Sequence, residues 1–209
     1  MSRLQWAARL AAAAGETDCG DRVACLPVAL PDGRCGHWLL VVDGLGHGPA
    51  AALAAERALH TLQARATEPG LLGRPLAMLK QLDRALRDTR GAAIGLAWLA
   101  DGQLHHAGVG NTRVVRCRET EVLRLPSRYG VVGDGSLQGE RAGQLPEQQL
   151  ALQPGDWLLL YTDGLNENLE LGTVLPEWQR DPGLLAEQVL ARWRLPHDDA
   201  GVLACELLP

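Results

Sequence analysis

At 209 residues the chain has the length of one domain. A domain of that size buries roughly 70% of its unfolded surface, so it needs neither disulfides nor a structural metal to stay folded. Its 46% apolar and 22% charged residues exclude a disordered or fibrous chain, and 25 acidic against 20 basic side chains, a net charge of −5, argue against nucleic acid as a partner.

No apolar run reaches the roughly 18 residues of a transmembrane helix. Near the start, Arg9 cuts the Ala-rich stretch to Leu10 to Ala14, shorter than the apolar segment of a signal peptide. The expectation is a cytoplasmic protein with no membrane contact, folded as a single domain over residues 1–209. Cys19, Cys25, Cys35, Cys117 and Cys205 form no CxxC pair and are odd in number, so they read as reduced thiols.

In chain order, Trp6 to Ala14 has helix-favouring composition. Arg22 to Leu30 reads as a strand before a Pro31-Asp32-Gly33 turn, and His37 to Val42 as a strand buried on both faces that ends at Asp43-Gly44. Pro49 to Ala66 is a helix with Gly48 as its N-cap and Pro49 at the first helical position. Pro75 to Arg90 is a second helix, with Leu76, Leu79, Leu82 and Leu86 on one face. Ala92 to Leu99 and Gln103 to Ala107 flank Asp101-Gly102, a hairpin signal. Thr112 to Cys117 and Val122 to Leu125 suggest another hairpin. Ser127 to Gly143 is glycine-rich and reads as a long mobile loop. Trp157 to Thr162 is a second apolar strand ending in Asp-Gly, Leu184 to Arg194 a third helix ended by Pro196, and Gly201 to Leu207 a last strand. Hairpins and helices together predict an α+β fold of antiparallel sheets covered by helices.

Aspartates recur where strands begin or end: Asp21, Asp43, Asp163 and the pair Asp198-Asp199. Each alone is a common turn residue. Gathered at one sheet edge they would repel each other unless neutralised, which hard divalent cations with oxygen ligands do. Gly44, lacking a side chain, lets the backbone offer its carbonyl as a further ligand. A phosphate-binding loop at Gly44 to Gly48 fits less well. Pro49 occupies the sixth position of the GxGxxG pattern, no Lys-Ser or Lys-Thr follows, and Asp43 would repel a pyrophosphate.

Five blocks carry a family resemblance: GETDCGD (Gly15 to Asp21), VVDGLGHGPAA (Val41 to Ala51), VGNTRV (Val109 to Val114), LQPGDWLLLYTDGLNE (Leu152 to Glu167) and DDAGVLACEL (Asp198 to Leu207). In this order they resemble the motifs of metal-dependent PPM/PP2C protein phosphatases, above all the bacterial SpoIIE branch and its short RsbX-like members of stressosome partner-switching systems. The resemblance spans nearly the whole chain. It implies an αββα sandwich, with a strand at Trp6 to Ala14 in conflict with that stretch's helix-favouring composition, and hydrolysis of phosphoserine or phosphothreonine on a partner protein, with STAS-domain proteins as the substrate class. Two divalent cations, Mn²⁺ or Mg²⁺, would activate a water for attack on phosphorus; they would bring the formal charge from −5 to about −1.

Carried over onto this sequence, Asp43 matches the carboxylate that bridges the two cations and Gly44 the carbonyl ligand of one. Asp163 and Asp198 match the other carboxylate ligands, Asp21 lies near a metal-bound water, and Asp199 orients the loop. Many eukaryotic relatives carry a histidine two positions after the bridging aspartate, proposed as the general acid. Here that position is Leu45 and the histidine falls at His47, which leaves two roles open to it, proton donor or residue that shapes the helix start. Arg22, on a strand, would point away from the face of Asp21, so it is not assigned the phosphate-holding role of the arginine in relatives. Adjacent His105 and His106 would face opposite ways and are not expected to share a metal. Trp38, Trp98 and Trp157 read as core. Trp178 and Trp193, near the last helix, are open to a partner-surface role. The alternative to an enzyme is a pseudophosphatase that binds a partner without turnover; retention of mutually repelling Asp43, Asp163 and Asp198 argues against it.

Overall fold

Strand side chains alternate between two faces, and in this protein that alternation sorts the apolar residues into three layers. A computed structural model describes residues 3–138, 145–166, 169, 171 and 181–209. Its strands are β1 (Leu4–Ala11), β2 (Asp21–Ala29), β3 (Cys35–Gly44), β4 (Ala92–Ala100), β5 (Gln103–Val109), β6 (Arg113–Arg118), β7 (Glu121–Leu125), β8 (Gln148–Ala151), β9 (Trp157–Tyr161) and β10 (Ala200–Leu207). Its helices are α1 (Pro49–Arg65), α2 (Pro75–Ala85) and α3 (Pro182–Trp193). One sheet has the order β1-β10-β9-β6-β7 and the other β2-β3-β4-β5-β8, with every strand pairing antiparallel.

Helices α1 and α2 cover the outer face of the second sheet. There Trp38, Leu40 and Val42 of β3 and Ile94 and Leu96 of β4 meet Ala55, Leu62, Leu79 and Leu82. Helix α3 covers the first sheet, with Leu185 and Val189 on Leu159, Tyr161 and Val202. The residues between, such as Leu39 and Val41 of β3, face Leu158 and Leu160 of β9 and Leu203 of β10 across the gap between the sheets. This is the αββα sandwich expected. Each fully buried leucine contributes about 1.5–3 kcal/mol of apolar burial, so β3 and β9, buried on both faces, are the fixed frame from which the loops at their ends project.

One open reading is decided and two sequence expectations are corrected. Trp6 to Ala14, helical by composition but a strand by the resemblance, is a strand: residues 4–11 pair with β10 at every position, and this ladder outweighs the Ala-rich helix propensity. Helix α2 ends at Ala85 rather than Arg90: the Leu86 N–H makes the last helical bond, to Leu82, and Thr89 then turns back, its N–H and its hydroxyl both donating to the Leu86 carbonyl. The glycine-rich stretch is anchored wherever it is described. Residues 127–138 make bridges to Val109 and Ala92 and bury Val132 and Leu137 under α2. Residues 139–143, Glu167 and Trp178 lie outside the described residues. Strand β8 has no counterpart in the sequence reading; Gln-Gln-Leu-Ala carries neither β-branched nor aromatic residues.

Candidate active site

In the antiparallel register of β2 and β3, Asp21 stands directly opposite Asp43. Both have the parity of Val23 and Val41, so both face the gap between the sheets. From the other sheet, β9 runs into Thr162 and Asp163, and β10 is preceded by Asp198 and Asp199. All five aspartates therefore gather at one end of the sandwich. The backbones crowd here: a Cβ on Gly44 would collide with the Ala51 carbonyl at the start of α1, and one on Gly164 with the Asp199 carbonyl. Helix α1 begins at Pro49 after Gly48, whose φ of 74° suits glycine.

The electrostatics of this cluster are unfavourable without a counter-charge. Burial, then the charges of Asp21, Asp163 and Asp198, push the Asp43 carboxyl up to about 9, and its side chain hydrogen-bonds with that of Asp163. Burial, eased by the Thr162 hydroxyl and aggravated by Asp199, Asp163 and Asp198, raises Asp21 to about 7. Asp198 is raised as well, by burial and by Asp163. Asp21 is 2% exposed, and its Oδ2 has no hydrogen-bond partner among the described residues. Carboxylates that are dehydrated, mutually repelling and short of donors suit a hard cation.

Asp43, Asp163 and Asp198 line an open cavity of about 640 Å³, together with Leu45, His47 and Asn111. Asp21 and Asp199 do not line it. The Asp199 carboxylate is spent on backbone, accepting from the N–H of Ala13 and of Gly20 at 2.8 Å each, and so stitches the segment before β2 to the start of β10. Among the described residues no three His, Cys, Asp or Glu side chains converge tightly enough to hold an ion by themselves. An ion here would also take backbone carbonyl and water oxygens, as hard cations commonly do. Arg22 turns toward α1, where it pairs with Glu56 at 2.6 Å and donates to the Cys19 and Asp21 carbonyls.

Two contacts at the cavity escaped the sequence reading. The Asn111 side-chain amide donates to Asp163 Oδ2 at 2.5 Å. His47, largely exposed, places Nδ1 2.9 Å from Glu16 Oε1. Both Asn111 and Glu16 lie inside blocks that resemble family motifs, but their partners are 52 and 31 residues away, so no spacing pattern reveals them. His105 and His106 lie away from the carboxylates. His106 is buried, which pushes its imidazole down to about 4.

The family model for stage II sporulation protein E (SpoIIE) matches residues 33–207. The chain belongs to the SpoIIE family of PP2C-type protein-serine/threonine phosphatases. Among solved structures, a chain from work on the bacterial stressosome as a modular system controlling secondary messenger signalling is 27% identical. It covers 98% of this chain and 100% of its own length at a TM-score of 0.80. RsbX in complex with magnesium is 18% identical, with 99% of this chain and all of that one covered, at a TM-score of 0.77. The PP2C phosphatase domain of SpoIIE from Bacillus subtilis, with a fragment of its regulatory domain, is 20% identical over 99% of this chain and 64% of that one, again at a TM-score of 0.77. No curated protein sequence matches the chain. No helix among the described residues is long and apolar enough to cross a membrane. Asp43, Asp163 and Asp198, which the sequence resemblance matches to carboxylate ligands, stand on the cavity wall.

Proposed function

We propose that this chain removes phosphate from phosphoserine or phosphothreonine on a STAS-domain partner protein, with two divalent cations, Mn²⁺ or Mg²⁺, at the carboxylate cluster. The observation that carries this reading is the convergence of Asp43, Asp163 and Asp198 on one open cavity, where their mutual repulsion is relieved by bound protons or by a cation. The magnesium of the RsbX structure and the stressosome origin of the 27%-identical chain support the cation and the substrate class.

In this reading Asp43, the Gly44 carbonyl, Asp163 and Asp198 would hold the cations, with Asp21 behind them. When bound, such cations make hydroxide available near neutral pH and neutralise phosphoryl oxygens in the transition state. The chain's own residues supply the positioning. Asn111 fixes the orientation of Asp163, Asp199 ties β10 to the segment carrying Asp21, and the glycine turns let Gly44 pack closely on the start of α1 and Gly164 on the start of β10. Glu16 holds the His47 imidazole at the cavity mouth, where it would either give a proton to the departing serine or threonine oxygen or hold the loop before α1.

The test is phosphate release from a phosphorylated STAS-domain protein encoded beside this gene, with Asp43→Ala as control. Release by wild type and none by the variant is expected. Tight binding of the phosphoprotein without any release would favour the pseudophosphatase.

A further inference from the structure

The cavity is far larger than a phosphate group, and part of its wall comes from the anchored loop. That loop is held on both sides of residues 129–131. On one side the Arg128 N–H donates to the Gly108 carbonyl at 2.9 Å, and the Gly110 N–H donates to the Arg128 carbonyl at 2.8 Å. On the other, Val132 and Ala92 exchange both backbone hydrogen bonds, at 2.9 and 3.0 Å.

Asp83 of α2 adds a clasp. It is fully buried, and its Oδ1 accepts from the N–H of Gly133 at 2.9 Å and of Gly135 at 3.1 Å, while Oδ2 accepts from the Gln138 side chain at 2.8 Å. A buried carboxylate is tolerated when it is so saturated with donors, and all three donors belong to one loop.

Tyr129, in contrast, is 99% exposed, although the backbone around it is fixed. It lines the cavity mouth together with Leu45, itself 41% exposed. An aromatic ring presented on a fixed backbone loses little entropy on binding, and for that reason tyrosine is over-represented among the residues that dominate protein interfaces.

We propose that Tyr129 is a specificity-determining residue that packs, with Leu45, against an apolar side chain next to the phosphorylated residue of the substrate protein. Asp83 is a positioning residue that acts through Tyr129 by fixing the loop. The occupant is the substrate polypeptide, because the lip is continuous with the cavity that takes its phosphate. This inference rests on the phosphatase reading above and deepens it.

The test compares two phosphoserine peptides, one with leucines and one with glycines flanking the phosphoserine. Wild type should prefer the leucine-flanked peptide. Tyr129→Ala should raise KM for that peptide about tenfold, with the loss in KM rather than kcat, and bring the preference close to one. Tyr129→Phe should retain the preference. Asp83→Asn should raise the same KM severalfold, and in the double variant with Tyr129→Ala the two effects should fall short of their product. An unaltered leucine preference in Tyr129→Ala would overturn the proposal. Wild type that turns over neither these peptides nor p-nitrophenyl phosphate in the presence of Mn²⁺ would sink the phosphatase reading instead. The Kd of the fluorescein-labelled leucine peptide, read by anisotropy, would then still decide the lip: a rise in Tyr129→Ala supports it, an unchanged value overturns it.

Discussion

Strand β9 has an aspartate at each end, and the two live in opposite circumstances. Asp156, just before it, is 1% exposed and takes a two-pronged ion pair from Arg118 at 2.6 and 2.7 Å, plus the Gln153 N–H at 2.8 Å. Burial alone would raise it, but the Arg118 hydrogen bond and the Gln153 N–H hold it below the usual carboxylate range. At the other end Asp163 meets Asp43, and behind them Asp21 leaves an oxygen without a donor among the described residues. The same side chain is complete in itself at one end and in need of a ligand at the other. A buried carboxylate with all its donors is structure. A half-buried carboxylate whose neighbours are carboxylates has to share a proton or take up a cation.

That contrast predicts opposite responses to the same substitution. Asp43→Ala should abolish hydrolysis by roughly 10³-fold or more and remove cation binding in calorimetric titration. It also relieves repulsion, so the metal-free variant should melt no lower than wild type. Asp156→Ala should do the reverse, costing about 3 kcal/mol by stranding Arg118 and the Gln153 N–H. A loss of that size lowers Tm by roughly 6–12 °C in a domain of this length, with Mn²⁺ binding retained. A large drop in the metal-free Tm of Asp43→Ala would mean that it too is a structural turn.

Asn111→Ala sharpens the site end. Groups that orient metal ligands typically govern affinity by about 10–100-fold, so a Kd for Mn²⁺ raised by about tenfold is expected, with the fold intact by circular dichroism. An unchanged Kd would show that Asp163 needs no such support.

The smallest effect is the pH dependence of the metal-free protein. The folded carboxyls of Asp21 and Asp43, at about 7 and about 9, lie above their unfolded value. Their contribution to stability is complete below that unfolded value and is lost as pH rises through the folded ones. His106, lowered to about 4, and His37, also lowered, contribute in the opposite sense, but only below about pH 6.5. Metal-free Tm should therefore fall between about pH 6.5 and 8.5, and saturating Mn²⁺ should flatten the slope. A metal-free Tm that rises over this window would contradict the carboxylate account.

Much of the frame is legible in the sequence because it rests on local signals. The apolar runs at His37 to Val42 and Trp157 to Thr162, each closed by Asp-Gly, become β3 and β9, and Gly48-Pro49 opens α1. What stays hidden depends on partners far along the chain. Trp6 to Ala14 reads helical by composition until β10 is present to pair with it. The loop at residues 127–138 reads mobile because its anchors, Asp83, Ala92 and Val109, belong to other elements. Asn111 and Glu16 carry no signal of their own, since an amide or a carboxylate near a motif gains meaning only from what it touches.

The most direct measurement is turnover of p-nitrophenyl phosphate by protein stripped of metal, verified by elemental analysis, before and after addition of Mn²⁺ or Mg²⁺. The account predicts no activity in the stripped protein and recovery on addition. Full activity in the stripped protein would contradict it.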